Sequence, residues 1–195
     1  MIKKLYRFIW SAHSCFSEVR LFCSSNYFIK NIRFFYQALA QEEKALNLKA
    51  QCNHLNTMIL VGAGPIPYTA LYYRKSFSQI ICIEKNRVLA AMSGYLIRKK
   101  GIKNIAIVPE GAINYKFPNK ALIYISLLTQ GKEAVFRKVC QSSESLICLR
   151  MPNLKSLHRY EQGEFAKTSF NVVNIPQLAM KSILIDTNTL KQASG

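Results

Sequence analysis

Met58-Ile59-Leu60-Val61-Gly62-Ala63-Gly64-Pro65-Ile66-Pro67 is an apolar run that ends in a turn rich in glycine and proline. An uninterrupted apolar run is typical of a parallel strand that is covered on both faces. Glycines let the backbone turn sharply and approach a ligand closely, and proline is tolerated in the first turn of a helix. The segment therefore predicts a strand, a nucleotide-type turn and the start of a helix.

Strand-like and helical patterns alternate after this turn. Short apolar runs predict further strands at 80–83, 105–108, 121–125 and 146–149. Helical stretches lie between them at 69–75, 87–100 and 132–141. Near the end of the chain, Ser169–Val173 and Ser182–Asp186 predict a terminal hairpin and bring the sheet to seven strands. This order predicts an α/β fold: a doubly wound, Rossmann-like, mostly parallel sheet with right-handed crossovers.

The segment before the turn has a different pattern. From Lys3 to about Leu48, apolar residues recur at spacings of three and four, which predicts amphipathic helices. Serines and asparagine near positions 14, 17 and 24–26 suit caps or breaks, so two or three helices are expected. We therefore expect a helical N-terminal extension over residues 1–57 and a Rossmann-like domain over residues 58–195.

The composition bounds the class of protein. The 195 residues are 50% hydrophobic, enough for one sizeable core, and carry a net charge of +17. Such a charge attracts nucleic acid, an acidic membrane surface or an acidic substrate. The densest basic cluster, at positions 98–100 and 103, falls at the end of a predicted helix, where cations also suit the helix dipole.

Several classes of protein are disfavoured. No apolar stretch has the length of a membrane span, and Arg7 interrupts the apolar run near the N-terminus. We therefore expect neither a transmembrane segment nor a signal peptide, and a cytoplasmic location. The six cysteines form no C-x-x-C pair, and the three histidines are far apart, so no metal site is expected. Cys82 and Cys148 lie inside predicted strands and should be buried and reduced.

Two carboxylates follow predicted strands. Between residues 58 and 130 the chain has ten Lys or Arg but only two acids, Glu84 and Glu110. Ligands of open parallel sheets bind outside the carboxyl ends of the strands. Glu84 would accept hydrogen bonds from ribose hydroxyls, although a helix cap, with Asn86 as the other candidate, is an alternative. Glu110 and the residues after it would contact an adenine edge.

The turn also distinguishes between adenosine ligands. Pro67 stands where a dinucleotide-binding turn has a third glycine or alanine, which disfavours NAD or FAD and favours S-adenosylmethionine. The predicted cofactor-binding residues are Gly62, Ala63, Gly64, Pro65, Glu84, Lys85, Glu110, Gly111, Ala112 and Ser126.

The segment Leu60–Thr69 resembles the G-S-G-P-x-P-x-T turn of nicotianamine synthase-like enzymes. The resemblance runs over Met58–Met151 and includes Ile123–Leu128, Lys132-Glu133 and Arg150-Met151. It implies a class I methyltransferase fold and transfer of the aminocarboxypropyl group of S-adenosylmethionine to a small amine. Methyl transfer is the alternative, and a non-catalytic protein that binds RNA or a partner through its basic surface is the third.

Chemistry on an amine requires a group that takes its proton. Tyr68 and Tyr124 are the predicted catalytic residues, and Tyr68 is preferred because it begins the helix beside the glycine turn. Core packing is an equal explanation for it. Glu42 and Glu43 are nearby alternatives, but with Lys44 they are typical of a solvated helix face.

Overall fold

The computed structural model describes residues 25–127, 129–152, 172–175 and 180–187. The helices in these ranges are α1 (Ser25–Ala45), α2 (Leu48–Gln51), α3 (Tyr68–Tyr73), α4 (Arg87–Lys99) and α5 (Lys132–Ser142). The strands are β1 (Thr57–Val61), β2 (Gln79–Ile83), β3 (Ile105–Val108), β4 (Ala121–Ile125), β5 (Leu146–Pro152), β6 (Val172–Ile175) and β7 (Met180–Asp186).

The strands form one sheet in the order β3-β2-β1-β4-β5-β7-β6. The first five strands of the chain pair in parallel, whereas β7 runs antiparallel to β5 and to β6. The predicted doubly wound, mostly parallel sheet is confirmed. The strand order reverses between β1 and β4, so their carboxyl ends form the switch point at which such sheets bind ligands.

The predicted elements agree closely with the structure up to β5. Each strand from β1 to β5, and each of the three helices between them, begins within one residue of its predicted start. The terminal hairpin is confirmed with shifted bounds, because β6 begins at Val172 and β7 begins at Met180. Residues 169–171, where the sixth strand was predicted to begin, lie outside the described residues.

Apolar side chains cover both faces of the parallel strands. On one face, Met58 and Leu60 pack with Tyr124. On the other face, Ile59 and Val61 pack in a second cluster. All five residues of β4 are buried, so an uninterrupted apolar run is what a central strand needs, and the functional groups collect at the strand ends.

Helix α1 belongs to the part of the chain that was predicted to be helical. It begins at Ser25, at one of the predicted breaks, and its residues Ala38 and Leu39 are buried. The helices predicted before it lie outside the described residues. The expectation of a solvated face at Glu42 was wrong, because that side chain is 0% exposed. It forms an ion pair with Arg150 in the core.

Three further predictions concern the cysteines, membrane-spanning helices and metal sites. Cys82 and Cys148 are buried and not in disulfides, as expected. Within the described ranges, no helix combines the length and apolar character that crossing a membrane requires. No group of three or more His, Cys, Asp or Glu side chains in the same ranges could hold a metal ion. Cys15, Cys23, His13 and His158 lie outside them.

Candidate functional site

The turn after β1 requires its glycines. Gly62 and Gly64 have φ angles of 74° and 65°, a left-handed conformation that favours glycine. A Cβ atom on Gly62 would lie 2.6 Å from the side-chain oxygen of Thr129. Pro67 then precedes the first residue of α3. The left-handed backbone and the close contact with Thr129 therefore both disfavour a side chain at Gly62.

Glu84 joins this turn to the second strand. Its carboxylate accepts hydrogen bonds from the backbone N–H of Gly64 and from that of Asn86, both at 2.9 Å. The side chain of Asn86 caps α4 by accepting from the N–H groups of Val88 and Leu89. Asn86 is therefore the helix cap, and the carboxylate of Glu84, whose residue is 9% exposed, lies against the turn.

The loop after β3 lies beside Glu84. The N–H of Glu84 donates to the carbonyl of Val108 at 3.0 Å, which joins the ends of β2 and β3. Glu110 is partly exposed. Burial of the Tyr115 hydroxyl raises the pKa of Tyr115, and the negative charge of Glu110 raises it further. The structure thus places the two predicted carboxylates at the carboxyl ends of adjacent strands. The following residues, Gly111 and Ala112, continue this loop, whereas Lys85 is exposed.

The loop after β4 packs against the glycine turn. The N–H of Ser126 donates to the carbonyl of Val61 at 3.0 Å, and the hydroxyl of Thr129 donates to the same carbonyl at 3.2 Å. Ser126, a predicted cofactor-binding residue, is therefore a neighbour of the turn. Thr129 was missed by the sequence analysis, although a hydroxyl residue just after a strand at the switch point was a usable signal.

The two tyrosines predicted to be catalytic have different environments. Tyr68 is partly exposed at the first position of α3, and its ring stacks on Phe35 with a centroid distance of 4.4 Å. Tyr124 is 0% exposed in β4, and its hydroxyl donates to Glu42. Burial is the main reason why the pKa of Tyr124 lies well above its usual value, and the nearby Cys148 and Glu42 raise it further. Tyr68 borders the glycine turn, whereas Tyr124 belongs to the core.

A buried polar cluster links α1 to the sheet. One oxygen of Glu42 accepts from Nε of Arg150 at 3.0 Å, and the other accepts from its Nη2 at 2.5 Å. Tyr124 and Ser182 also donate to this carboxylate, and Nη1 of Arg150 donates to Thr69 at 3.0 Å. Burial alone would raise the pKa of Glu42, but the charge and hydrogen bonds of Arg150 outweigh it and lower that pKa.

Lys132 lies near this cluster at the start of α5. Its Nζ donates to the carbonyls of Leu127 at 2.8 Å and of Arg150 at 2.6 Å. Burial of the amine, followed by the positive charge of Arg150, lowers the pKa of Lys132 to about 7. The structure therefore holds an amine with a lowered pKa beside the loop after β4. Lys132 lies within the family resemblance, but the sequence pattern assigned it no role.

Comparison with known proteins shows the fold. No protein-family model and no curated protein matches the sequence significantly. The chain is 16% identical to a mutant of the nicotianamine synthase MtNAS in complex with S-adenosylmethionine, with a TM-score of 0.64 over 84% of this chain and 67% of that one. It is 14% identical to MtNAS in complex with MTA and tNA, with a TM-score of 0.64 over 86% and 67%.

A second kind of structure is also similar. A SAM-dependent methyltransferase from Aquifex aeolicus is 11% identical, with a TM-score of 0.54 over 72% of this chain and 87% of that one. Across the MtNAS structures, the chain spans between 61% and 67% of their length. At such identities these likenesses establish the fold alone: the chain has a class I methyltransferase-like fold.

Proposed function

We propose that the protein is a transferase that uses S-adenosylmethionine. The observation that carries the proposal is the hydrogen bond between the glycine turn after β1 and the Glu84 carboxylate at the end of β2, beside the switch point of the sheet. Doubly wound sheets bind their ligands at this place. The similarity to MtNAS, which was crystallised with S-adenosylmethionine, supports the same cofactor here.

The polar groups at this edge suit an adenosyl ligand. A carboxylate has about four lone-pair positions, and within the described residues each oxygen of Glu84 accepts one backbone N–H. Each oxygen therefore keeps capacity for a ribose hydroxyl. The loop of Glu110, Gly111 and Ala112 follows the adjacent strand, where we propose that it contacts the adenine. Lys85 and Ser126 would border the ligand.

The residues of the chain would position the cofactor and the acceptor for the reaction. Bound S-adenosylmethionine supplies an electrophilic carbon next to its sulfonium sulfur. Gly62 and Gly64 let the backbone approach that part of the ligand, and Ala63 and Pro65 complete the turn. Tyr68 borders the same turn at the start of α3, and we propose that it contacts the acceptor.

We further propose that the transferred group is aminocarboxypropyl and that the acceptor is a small amine. The resemblance of Leu60–Thr69 to the turn of nicotianamine synthase-like enzymes supports this choice. The structural similarity to MtNAS supports it as well. Methyl transfer is the alternative on the same cofactor site, because the Aquifex methyltransferase shares the fold.

Product analysis tests both assignments. The full chain would be incubated with S-adenosylmethionine and a mixture of primary amines, followed by mass spectrometry of the nucleoside products. Aminocarboxypropyl transfer releases methylthioadenosine, whereas methyl transfer releases S-adenosylhomocysteine. We expect methylthioadenosine in excess over that produced by a Glu84→Ala variant. If S-adenosylhomocysteine is the only product, the protein transfers methyl groups and not aminocarboxypropyl groups. If neither product exceeds the amount formed by the variant, the proposal of a transferase is contradicted.

A basic surface favours a second, non-catalytic candidate function. Arg98 and Lys99 are exposed at the end of α4, and Lys103 is exposed just before β3. The side chain of Asn104 donates to the carbonyl of Arg74 at 2.7 Å, which brings the end of α3 to the same edge. This amino edge of the sheet lies opposite the proposed cofactor site. We propose RNA as its ligand, because clustered cations attract a phosphate backbone.

A fluorescence titration with RNA tests the second candidate. Affinity that falls steeply with salt, and that weakens in an Arg98→Gln/Lys103→Gln variant, would support binding at this edge. Affinity that is independent of salt would contradict it.

A further inference from the structure

The amine of Lys132 is held by two backbone carbonyls from different segments. It donates to Leu127, in the loop after β4, and to Arg150, in β5. A neutral amine has two N–H groups and one lone pair, so these two carbonyls can take both hydrogens. In that state the lone pair lies in the third direction at the nitrogen, and in an ammonium a third N–H lies there instead. The two carbonyls therefore fix the position of Nζ at the ends of β4 and β5 in either protonation state.

The loop that holds Lys132 also packs against the proposed cofactor turn. Thr129, in the same loop as Leu127, donates to the carbonyl of Val61. Its side-chain oxygen lies closest to the position that a Cβ atom on Gly62 would take. Lys132 is thus anchored next to the switch point of the sheet, on the side of β4 and β5, and it is partly exposed.

Burial, and after it the charge of a neighbouring residue, lowers the pKa of Lys132. Arg150 carries the positive charge that acts on Lys132, and Glu42 is already paired with that guanidinium. Glu133, the next residue of α5, pairs with Arg137 at 2.5 Å. Burial, followed by the positive charge of Arg150, thus lowers the pKa of Lys132 to about 7, while the carboxylates of Glu42 and Glu133 pair with Arg150 and Arg137.

We propose that Lys132 is the general base that takes the proton of the acceptor amine. The inference rests on the proposed transferase function and deepens it. The acceptor ammonium gives a proton to the lone pair of Nζ and becomes a neutral amine. Its freed electron pair forms a bond to the carbon next to the sulfonium sulfur, and the broken carbon–sulfur bond leaves its electron pair on sulfur. Lys132 ends as an ammonium, and its proton then passes to solvent.

Nuclear magnetic resonance of the whole chain, labelled with ¹⁵N in its lysines, tests this assignment. The Nζ signal of Lys132 is identified by its loss in a Lys132→Arg variant, and it is titrated in the free protein and with two bound probes. S-adenosylmethionine and S-adenosylhomocysteine differ in the sulfonium charge. A unit charge within roughly 10 Å should lower the midpoint by about one pH unit. Lys138, further along α5, is the internal control.

We expect the midpoint of Lys132 in the free protein near neutral pH, and a lower midpoint with S-adenosylmethionine than with S-adenosylhomocysteine. A midpoint at the usual lysine value of about 10.4 would overturn the inference. Equal midpoints with the two probes would also overturn it, because Lys132 would then lie away from the sulfur. Calorimetry on the same samples reports cofactor binding separately. A protein that binds no cofactor would contradict the proposed function, whereas a protein that binds it without the expected change at Lys132 would contradict only the role of Lys132.

A Lys132→Met variant tests the catalytic consequence. We expect its rate of product formation to fall by about 10²- to 10⁴-fold, the usual contribution of a general base, with affinity for S-adenosylmethionine within about threefold of the original. An unchanged rate would show that Lys132 only braces the loop after β4.

Discussion

The backbone N–H of Gly64 lies 2.9 Å from a carboxylate oxygen of Glu84 and donates a hydrogen bond to it. This contact joins the turn after β1 to the end of β2. The second carboxylate oxygen accepts from Asn86, just before α4. One side chain therefore holds both the glycine turn and the beginning of a helix in place, at the edge where doubly wound sheets in general bind their ligands.

Replacement of Gly62 tests the packing of this turn. Gly62→Ala should lower the free energy of unfolding by about 1 to 2 kcal/mol for the left-handed backbone and by about 1 to 3 kcal/mol more for the clash with Thr129. Gly101→Ala is the matched control, because Gly101 also has a positive φ but has no atom within 4 Å of an added Cβ. Urea denaturation measures both.

The two glycine variants should differ. A Gly62→Ala/Thr129→Ala double variant should recover part of the lost stability, since it removes the clashing oxygen. Equal costs for Gly62→Ala and Gly101→Ala would contradict the packing described for the turn.

The ion pair between Glu42 and Arg150 should be essential for stability. Glu42→Gln leaves Arg150 buried without its counter-charge, which typically costs about 3 to 5 kcal/mol. Because the pKa of Glu42 is lower in the folded chain, its contribution is present above the unfolded pKa and is lost as the pH falls through the folded one. Urea denaturation between neutral and acidic pH measures this dependence.

Glu43→Gln is the control for that prediction. Glu43 precedes Lys44 on the same helix and accepts a hydrogen bond from Tyr72 at 2.7 Å, but it is only partly buried. We expect a smaller loss, about 1 kcal/mol. A similar loss in both variants would mean that the pair with Arg150 adds nothing beyond an ordinary hydrogen bond.

The lowered pKa of Lys132 predicts that the free energy of unfolding rises with pH. Its pKa of about 7 in the folded chain lies below the usual lysine value of about 10.4. Between these values the unfolded chain holds a proton that the folded chain has lost, so the free energy of unfolding increases with pH. The slope reaches at most about 1.4 kcal/mol per pH unit. Urea denaturation of the wild type and of Lys132→Met, at about pH 6 and about pH 9, measures it.

The expected result is that the wild type gains stability relative to Lys132→Met as the pH rises. A constant difference between the two proteins would show that Lys132 keeps its proton in the folded state.

The parallel sheet and the glycine turn could be predicted because their signals are local. An apolar run followed by Gly62 and Gly64 defines a strand and a turn whatever the rest of the chain does. Glu84 was identifiable because acids are rare between residues 58 and 130. The hydrogen bond from Gly64 to its carboxylate was not, since it depends on how two strands are placed in the sheet.

Glu42 and Lys132 show what a local pattern misses. Glu42 has the sequence neighbours of a surface residue, but its partner Arg150 is 108 positions away. The available signal was Arg150 itself, a charged residue directly after the apolar run 146–149, because a charge that is buried there requires a partner. Lys132 begins a helix, where the dipole disfavours a cation. A lysine at this unfavourable position indicates a functional or structural constraint, and the structure shows that its amine contacts two backbone carbonyls.

The most direct measurement is calorimetric titration of S-adenosylmethionine, methylthioadenosine and S-adenosylhomocysteine into the wild type, Glu84→Ala and Glu144→Ala. Glu144 is an exposed acid at the opposite edge of the sheet, so its variant controls for the loss of one negative charge. We predict micromolar binding by the wild type and by Glu144→Ala, and binding at least about tenfold weaker in Glu84→Ala, since a hydrogen bond to a charged group contributes about 1.5 to 3 kcal/mol. No binding of any of the three ligands to the wild type would contradict the account.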